Sequence, residues 1–574
     1  MSPTSESRSR AFAPFLLAFG LALALRLLRL GEIPFSDAEA RWALQALDLT
    51  RGLRPAIGPL PGYVSLTALA FFVLQASNFA ARLVPALLGA TLVFTPYYFR
   101  DWLGAKPALL LAFFLALDPG GLALSRQADS PLLAVVALLF AWGLWRAENF
   151  RAAGMWAGLA LLGGPQFWPG LFGLALTYGL LGQFVGFETP FAFDRRRWLT
   201  FGLFAAGTYL LVGSLFFLAP GTLGAGLAAL PAYLGNWIEF SNVPAWRLLL
   251  ALLTYELFPV LLALAGLVRG ILNREPLIIA LGTWLGVSLI LALVYPSRQV
   301  ADLVWVLLPI LALAALEVTR YLTPVIDGAW ETIGMSVFTL AILVFTALNF
   351  GSIALAPANS TTVAQDWGFI QLTALQLHWL ILLLSVFLLV LSVFMVAFGW
   401  SIPVAVQGSL WGTLVVLFVY HFSTAMAAGG LRTYRTVELW PEGPSTNQAA
   451  TLVSQMNDLS RWKTGNRAAL KVTILGLDSP ALRWVLRDWQ VTLASSFSAG
   501  DPPEMVIASD QFSQPEFETL YRGQDLLWRS YPFWDQGLTS DWLTWSLMHQ
   551  FPLGKEKILF WVRNDIFIDA QNNQ

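Results

Sequence analysis

The sequence predicts an all-α polytopic membrane bundle of about thirteen transmembrane helices, followed by a small extracytoplasmic α/β domain. Three observations carry this expectation. Of the 574 residues, 57% are apolar and only 12% charged, about half the charge of an ordinary soluble domain. The charge is uneven, with 29 acidic and basic residues in 430–574 and 40 in the first 429. Those first 429 residues also break into apolar runs close to the roughly 20 residues a helix needs to cross a bilayer. The boundary falls near Gly429–Gly430, between a membrane part (1–429) and a polar domain (430–574).

Apolar stretches lie near 11–30, 84–99, 107–123, 130–145, 152–165, 167–186, 198–219, 246–268, 277–295, 300–319, 333–355, 372–398 and 403–427. The first is read as a retained span, because no small-residue cleavage site follows it. Tyr63–Ala76 is apolar too, but at 14 residues it is short for a crossing, and counting it would invert every later helix. The positive-inside rule decides the matter. If 63–76 lies in the interface, Arg8 and Arg10, Arg100 and Lys106, Arg146 and Arg151, Arg195–Arg197, Arg269 and Arg274, and Arg320 all fall on short cytoplasmic segments. The N-terminus is then cytoplasmic and the C-terminal domain extracytoplasmic.

Within that domain, 430–465 reads as a polar linker containing Pro441, Gly443 and Pro444. Lys471–Gly476 alternates as a strand does, and Ser479–Trp489 has helical spacing. Gln490–Ser495, Met505–Ala508 and Ile558–Val562 read as further strands, which suggests a small α/β fold of about four strands. Trp528, Tyr531, Trp534, Trp542 and Trp545 are read as core and interface anchors, with sugar stacking as the alternative.

Composition excludes several functions. The net charge is −1 and the longest basic run is Arg195-Arg196-Arg197, so nucleic acid is not an expected partner. There is no Cys, which removes disulfides, thiolate metal sites and thiol nucleophiles. His378, His421 and His549 are too scattered for a standard metal spacing and are read as structural. Two acidic outer loops leave room for a divalent cation on oxygen ligands, though no spacing demands one.

With this topology the outer face collects the unusual residues. The first outer loop, 31–83, begins with Asp37-Ala38-Glu39-Ala40-Arg41-Trp42, and the second carries Asp118-Pro119-Gly120-Gly121 and then Ser125-Arg126-Gln127-Ala128-Asp129. Tyr295-Pro296-Ser297-Arg298 ends a later span on the same face. Charge beside hydrocarbon is costly and tends to be paired or functional, although single loop charges often serve only as orientation anchors. A carboxylate can deprotonate a hydroxyl or amine, and arginines can grip a phosphate.

These residues resemble the C-type glycosyltransferases, multi-spanning enzymes that use polyprenyl-phosphate sugar donors. Ala81-Arg82-Leu83-Val84-Pro85-Ala86-Leu87-Leu88-Gly89 is similar to the Arg-x-x-Pro-Ala-Leu-x-Gly opening of their second helix. Ser125-Arg126 with Asp129-Ser130-Pro131-Leu132-Leu133 resembles their second outer loop, and Asp37 to Ala43 their acidic first-loop motif. Tyr255-Glu256-Leu257-Phe258-Pro259 and Ala481 to Trp489 resemble segments of a bacterial and archaeal branch related to protein mannosyltransferases.

The resemblance implies a membrane glycosyltransferase that moves a sugar with inversion from a polyprenyl-phosphate donor to a protein, lipid or glycan acceptor. Its implied site comprises Asp37 as base with Glu39 as substitute, Asp129 orienting the acceptor or an arginine, and Arg126 and Arg298 on the phosphate. Arg41, Tyr255 and Glu256 complete the substrate contacts. One departure stands out. In the family motif the catalytic Asp directly precedes Glu, and aligning Glu39 there leaves Ala38 at the catalytic position, whereas a shift of one residue recovers Asp37. Two other readings stay open: a catalytically degenerate scaffold or accessory subunit, and a transporter, which a pair of acids buried at the bilayer centre would favour.

Overall fold

The computed structural model describes residues 5–129, 131–184, 194–322, 328–355, 363–366, 371–432, 437–495, 502–510 and 519–568. Ser130 of the second-loop motif, residues 185–186 of one expected span and residues 433–436 of the expected linker lie outside them. Each of the thirteen apolar stretches falls on a helix or a bent pair of helices. Among the described residues six helices are long and apolar enough to cross a membrane, and the number rises to eight if each of two bent pairs is one span. The chain is a multi-pass membrane protein.

Both bends follow from proline. Ala105–Leu117 and Pro119–Ser125 meet at 53°. Asp118 caps the second helix by accepting from Gly121 N at 2.5 Å, and Pro119 sits where no amide is needed. Ala245–Tyr255 and Leu257–Leu272 meet at 93°. Pro259 has no N–H to give the Tyr255 carbonyl, which accepts instead from Thr424 Oγ1 at 3.3 Å.

Close helix contacts rely on small residues. A Cβ on Gly154 or Gly158 would come within 2.3 and 2.4 Å of the Phe201 and Ala205 carbonyls on Arg195–Gly213. Gly408 and Gly412 let Ile402–Ala428 lie equally near Ala329–Leu355, where added Cβ atoms would stand 2.6 Å from Met335 Cβ and the Ser336 carbonyl.

The expected outer loop 31–83 is largely helical, as Asp37–Thr50 and Pro61–Leu74. Ser36 and Glu39 start the first of these with a capping box. The C-terminal module is a five-stranded sheet in the order Gln490–Ala494, Lys471–Leu475, Met505–Ser509, Leu553–Arg563, Tyr521–Pro532. The first three strands run parallel and the last two add antiparallel. Sequence patterning missed Tyr521–Pro532, whose first half is polar and exposed and shows no alternation.

The stretch read as a linker contains a helix, Ala449–Thr464. Trp484, from the short helix Pro480–Val485, docks the module onto the membrane part. Its ring lies 5.2 Å from Phe35 and 5.8 Å from Phe71, and its Nε1 donates to Asn78 at 2.8 Å.

Candidate functional site

Where the first two expected outer loops meet the sheet module, a cavity of roughly 280 Å³ opens. Those loops supply Ser36, Glu39, Gln127 and Asp129, and the helix Ala245–Tyr255 supplies Arg247. The opposite wall is Glu438 through Ser445, with Tyr531 and Trp534 of the module. A smaller concavity lies beside it, lined by Asp37, Ala38, Arg41, Trp42, Arg529 and Glu442–Pro444. Glu442, Gly443 and Pro444 border both spaces.

Three donors on the larger wall have no acceptor among the described residues: Arg247 Nε, Gln127 Nε2 and Trp440 Nε1. Gln127 and Trp440 are buried. Arg247 Nη2 is 3.8 Å from exposed Asp535, and its guanidinium lies 5.8 Å from the Trp534 ring. A buried donor without an acceptor is costly, so these three are open to acceptor oxygens of a ligand, while Gln166 Oε1 on the same lining is an acceptor without a donor among the described residues. The aromatic group splits accordingly: Trp528 and Trp545 are fully buried core, while Tyr531 and Trp534 line the cavity.

Each sequence-predicted residue has a definite place. Asp37 sits in the smaller concavity with both oxygens engaged. Oδ1 accepts from Ser479 Oγ at 2.7 Å and Ala481 N at 2.9 Å, and Oδ2 from Arg529 Nη2 at 2.5 Å. Glu39 forms a two-pronged ion pair with Arg82, Nε to Oε1 at 2.8 Å and Nη2 to Oε2 at 2.7 Å, and also accepts from Ala128 N. Asp129 lines the larger cavity, and exposed Arg41 the smaller one.

Arg126 points away from the cavity. It is fully buried and donates to the carbonyls of Leu25, Arg26, Leu28 and Gly429. Arg298 folds back onto the Tyr295 carbonyl at 2.9 Å and the Val243 carbonyl at 3.4 Å, at the cavity's edge. Buried Tyr255 donates to Glu438 Oε2 at 2.5 Å and accepts from Leu439 N at 3.1 Å, and so holds the cavity wall from behind. His549 Nδ1 lies 3.1 Å from the other Glu438 oxygen.

Glu256 is deeper still. It accepts from Gly120 N at 3.2 Å, with His421 Nδ1 3.8 Å away, and packs against Asp118. Among the described residues no three His, Asp or Glu side chains group as metal ligands do.

Sequence reasoning passed over Arg247, Glu438, Glu442, Arg529 and the role of Arg82. Arg247 left one signal, an isolated arginine inside the apolar run 245–255. Arg82 stands in the second-helix motif, which says nothing of its pairing with Glu39, and Glu438, Glu442 and Arg529 lie hundreds of residues from the first two loops and left no signal.

No protein-family model matches the chain, and no curated protein matches it. Among solved structures it is similar to the aminoarabinose transferase ArnT from Cupriavidus metallidurans bound to undecaprenyl phosphate. That alignment has 12% identity and a TM-score of 0.51, and covers 88% of this chain and 94% of that one. The chain has the C-type membrane glycosyltransferase fold. The same ArnT in its apo state aligns at 14% identity with a TM-score of 0.50, over 86% and 92% of the two chains. The oligosaccharyltransferase of Archaeoglobus fulgidus in its apo form is looser, at 11% identity and a TM-score of 0.42, over 83% of this chain and 63% of that one. At such identities the C-type likeness concerns the path of the backbone, and residue roles rest on this chain's own geometry.

Proposed function

We propose that the protein is an integral-membrane glycosyltransferase that moves a sugar, with inversion, from a polyprenyl-phosphate donor to a glycan, lipid or protein acceptor at the outer face. The observation that carries this reading is the set of unmatched donors, Arg247, Gln127 and Trp440, on one cavity wall that also bears carboxylates. A phosphate supplies the acceptor oxygens those donors lack, and its charge is balanced by the guanidinium. Undecaprenyl phosphate is the ligand of the ArnT structure that shares this fold, and we extend a polyprenyl phosphate to this chain on that basis.

In this reading the thirteen helical stretches all cross, with the N-terminus cytoplasmic and the sheet module outside. The donor reaches the cavity sideways from the lipid. Asp129, on the lining of the larger cavity, orients a neighbouring arginine, Arg298 steadies the rim, and Arg126 belongs to the scaffold. Asp37 holds the sheet module to the first outer helix. The carboxylates beside Arg247 argue against a scaffold that has lost its chemistry.

The test is direct. The full chain in nanodiscs is given short-chain polyprenyl-phosphate mannose, glucose and aminoarabinose, each labelled in the sugar, together with envelope extract as acceptor source. Transfer with release of the lipid phosphate is expected from at least one donor; inertness toward all of them overturns the proposal.

A transporter is the second reading, favoured by one observation: Asp118 and Glu256 are both buried at the two helix bends. Broken helices and buried acids are transporter traits. Proton-coupled sugar flux into liposomes without any release of lipid phosphate would favour it.

A further inference from the structure

Proton removal from an acceptor requires a carboxylate oxygen with a lone pair to spare. Asp129 lines the larger cavity alone, away from the smaller one, and the other acids around the two concavities differ sharply in this respect. Both oxygens of Asp37 are taken by Ser479, Ala481 N and Arg529. Those of Glu39 are taken by Arg82. One oxygen of Glu438 accepts from Tyr255, and the other lies 3.1 Å from buried His549 Nδ1. Glu442 is different: it is exposed, and its carboxylate has no hydrogen-bond or ion-pair partner among the described residues.

Its backbone is nevertheless well fixed. The segment is pinned upstream where Leu439 N donates to Tyr255 Oη at 3.1 Å. Downstream, Thr446 N donates to the Phe35 carbonyl at 3.3 Å and Asn447 N to the Trp528 carbonyl at 2.8 Å. Pro441 and Pro444 bracket Glu442-Gly443 and hold φ near −65° at two of the four positions. The result is a short, stiff strap that carries one unengaged carboxylate along the border of both spaces, the smaller of which Ala38 also lines.

Resting on the transferase reading, we propose that Glu442, contributed by the segment that follows the last membrane helix, is the general base, in place of the carboxylate absent at Ala38. The acceptor, in the smaller concavity, gives its O–H or N–H proton to Glu442. Its heteroatom bonds to the anomeric carbon from the face opposite the phosphate. The carbon–oxygen bond to the phosphate breaks, and that electron pair leaves on the polyprenyl phosphate beside Arg247. Glu442, being exposed, then returns the proton to water.

The experiment measures release of lipid phosphate by the full chain in nanodiscs, under the conditions above, and separately measures binding of undecaprenyl phosphate. E442Q is expected to slow release by about 100-fold or more, in the range typical of a lost general base, while binding undecaprenyl phosphate as the parent does. E442A is expected to regain activity with added formate, which a merely structural role would not allow. Release by E442Q at the parent rate overturns the assignment and leaves the transferase reading standing. Loss of release without formate rescue, or with loss of lipid-phosphate binding, also overturns it. An inert parent protein overturns both.

Discussion

The pairing of Glu39 with Arg82 makes a sharp claim, because the resemblance offers Glu39 as a stand-in base and the geometry gives it another occupation. Arg82 is fully buried and Glu39 is 4% exposed. Besides its two bonds to Glu39, Arg82 donates to the carbonyls of Leu30, Ile33 and Pro34, which fixes the chain's exit from the first helix. Glu39 in turn accepts from Ala128 N at 3.1 Å, tying the segment 118–129 to the helix Asp37–Thr50. Replacing Glu39 with Gln leaves a buried guanidinium uncompensated, at a cost of about 3–5 kcal/mol. That is about a hundred- to several-thousand-fold in the folding equilibrium.

The protein holds 25 Trp, so its intrinsic fluorescence reports unfolding during a titration from mild detergent into SDS. E39Q should unfold at a markedly lower SDS fraction, and the double variant E39Q/R82M should recover part of the loss, since neither unpaired charge then remains. E39Q as stable as the parent but inactive would refute this reasoning and return Glu39 to the chemistry.

Other outcomes follow from the same geometry. R247A removes the one arginine that lines the larger cavity among the described residues, and should weaken undecaprenyl phosphate binding about 10- to 100-fold, read by titration of the protein in nanodiscs. D37N loses the bond from Arg529, where the two side chains are 32% and 13% exposed. It should cost about 1 kcal/mol and raise the rate of proteolysis within 437–448 while folding remains intact. G120A places a Cβ 2.5 Å from Leu307 and 2.6 Å from the Trp440 ring. It should destabilise the chain by about 1–3 kcal/mol and lower lipid-phosphate binding by shifting Trp440, measured by the same two assays.

The bundle was legible in the sequence because hydrocarbon selects helices by length and apolarity, and each of the thirteen apolar stretches is helical. The sheet was legible at Lys471–Leu475 and Met505–Ser509, where burial imposes apolar runs, and illegible at the exposed half of Tyr521–Pro532. The site was read only in outline. Gathering Asp37, Glu39, Arg126 and Asp129 at one face needs only the topology, but their tasks depend on partners far along the chain. Asp37 meets Arg529, 492 residues away, and Arg82 decides the fate of Glu39 from 43 residues away. Local motif spacing carries nothing about such pairings. Arg126 and Arg247 differ only in what surrounds them, four carbonyls in one case and a cavity wall in the other.

That nest of carbonyls around Arg126 has a consequence for how the chain is made. Its guanidinium caps the end of the helix Ser5–Leu27 through Leu25, Arg26 and Leu28, and then reaches Gly429 at the end of the helix Ile402–Ala428. Gly429 is 303 residues downstream, which at ribosomal speeds of about 5–20 residues per second means a wait of about 15–60 s. During synthesis the nascent bundle therefore holds an arginine whose last acceptor has not yet been translated, and arrival of the final helix closes the ring. Until Gly429 is in place, Arg126 Nε lacks the acceptor that ties the first helix to the helix Ile402–Ala428.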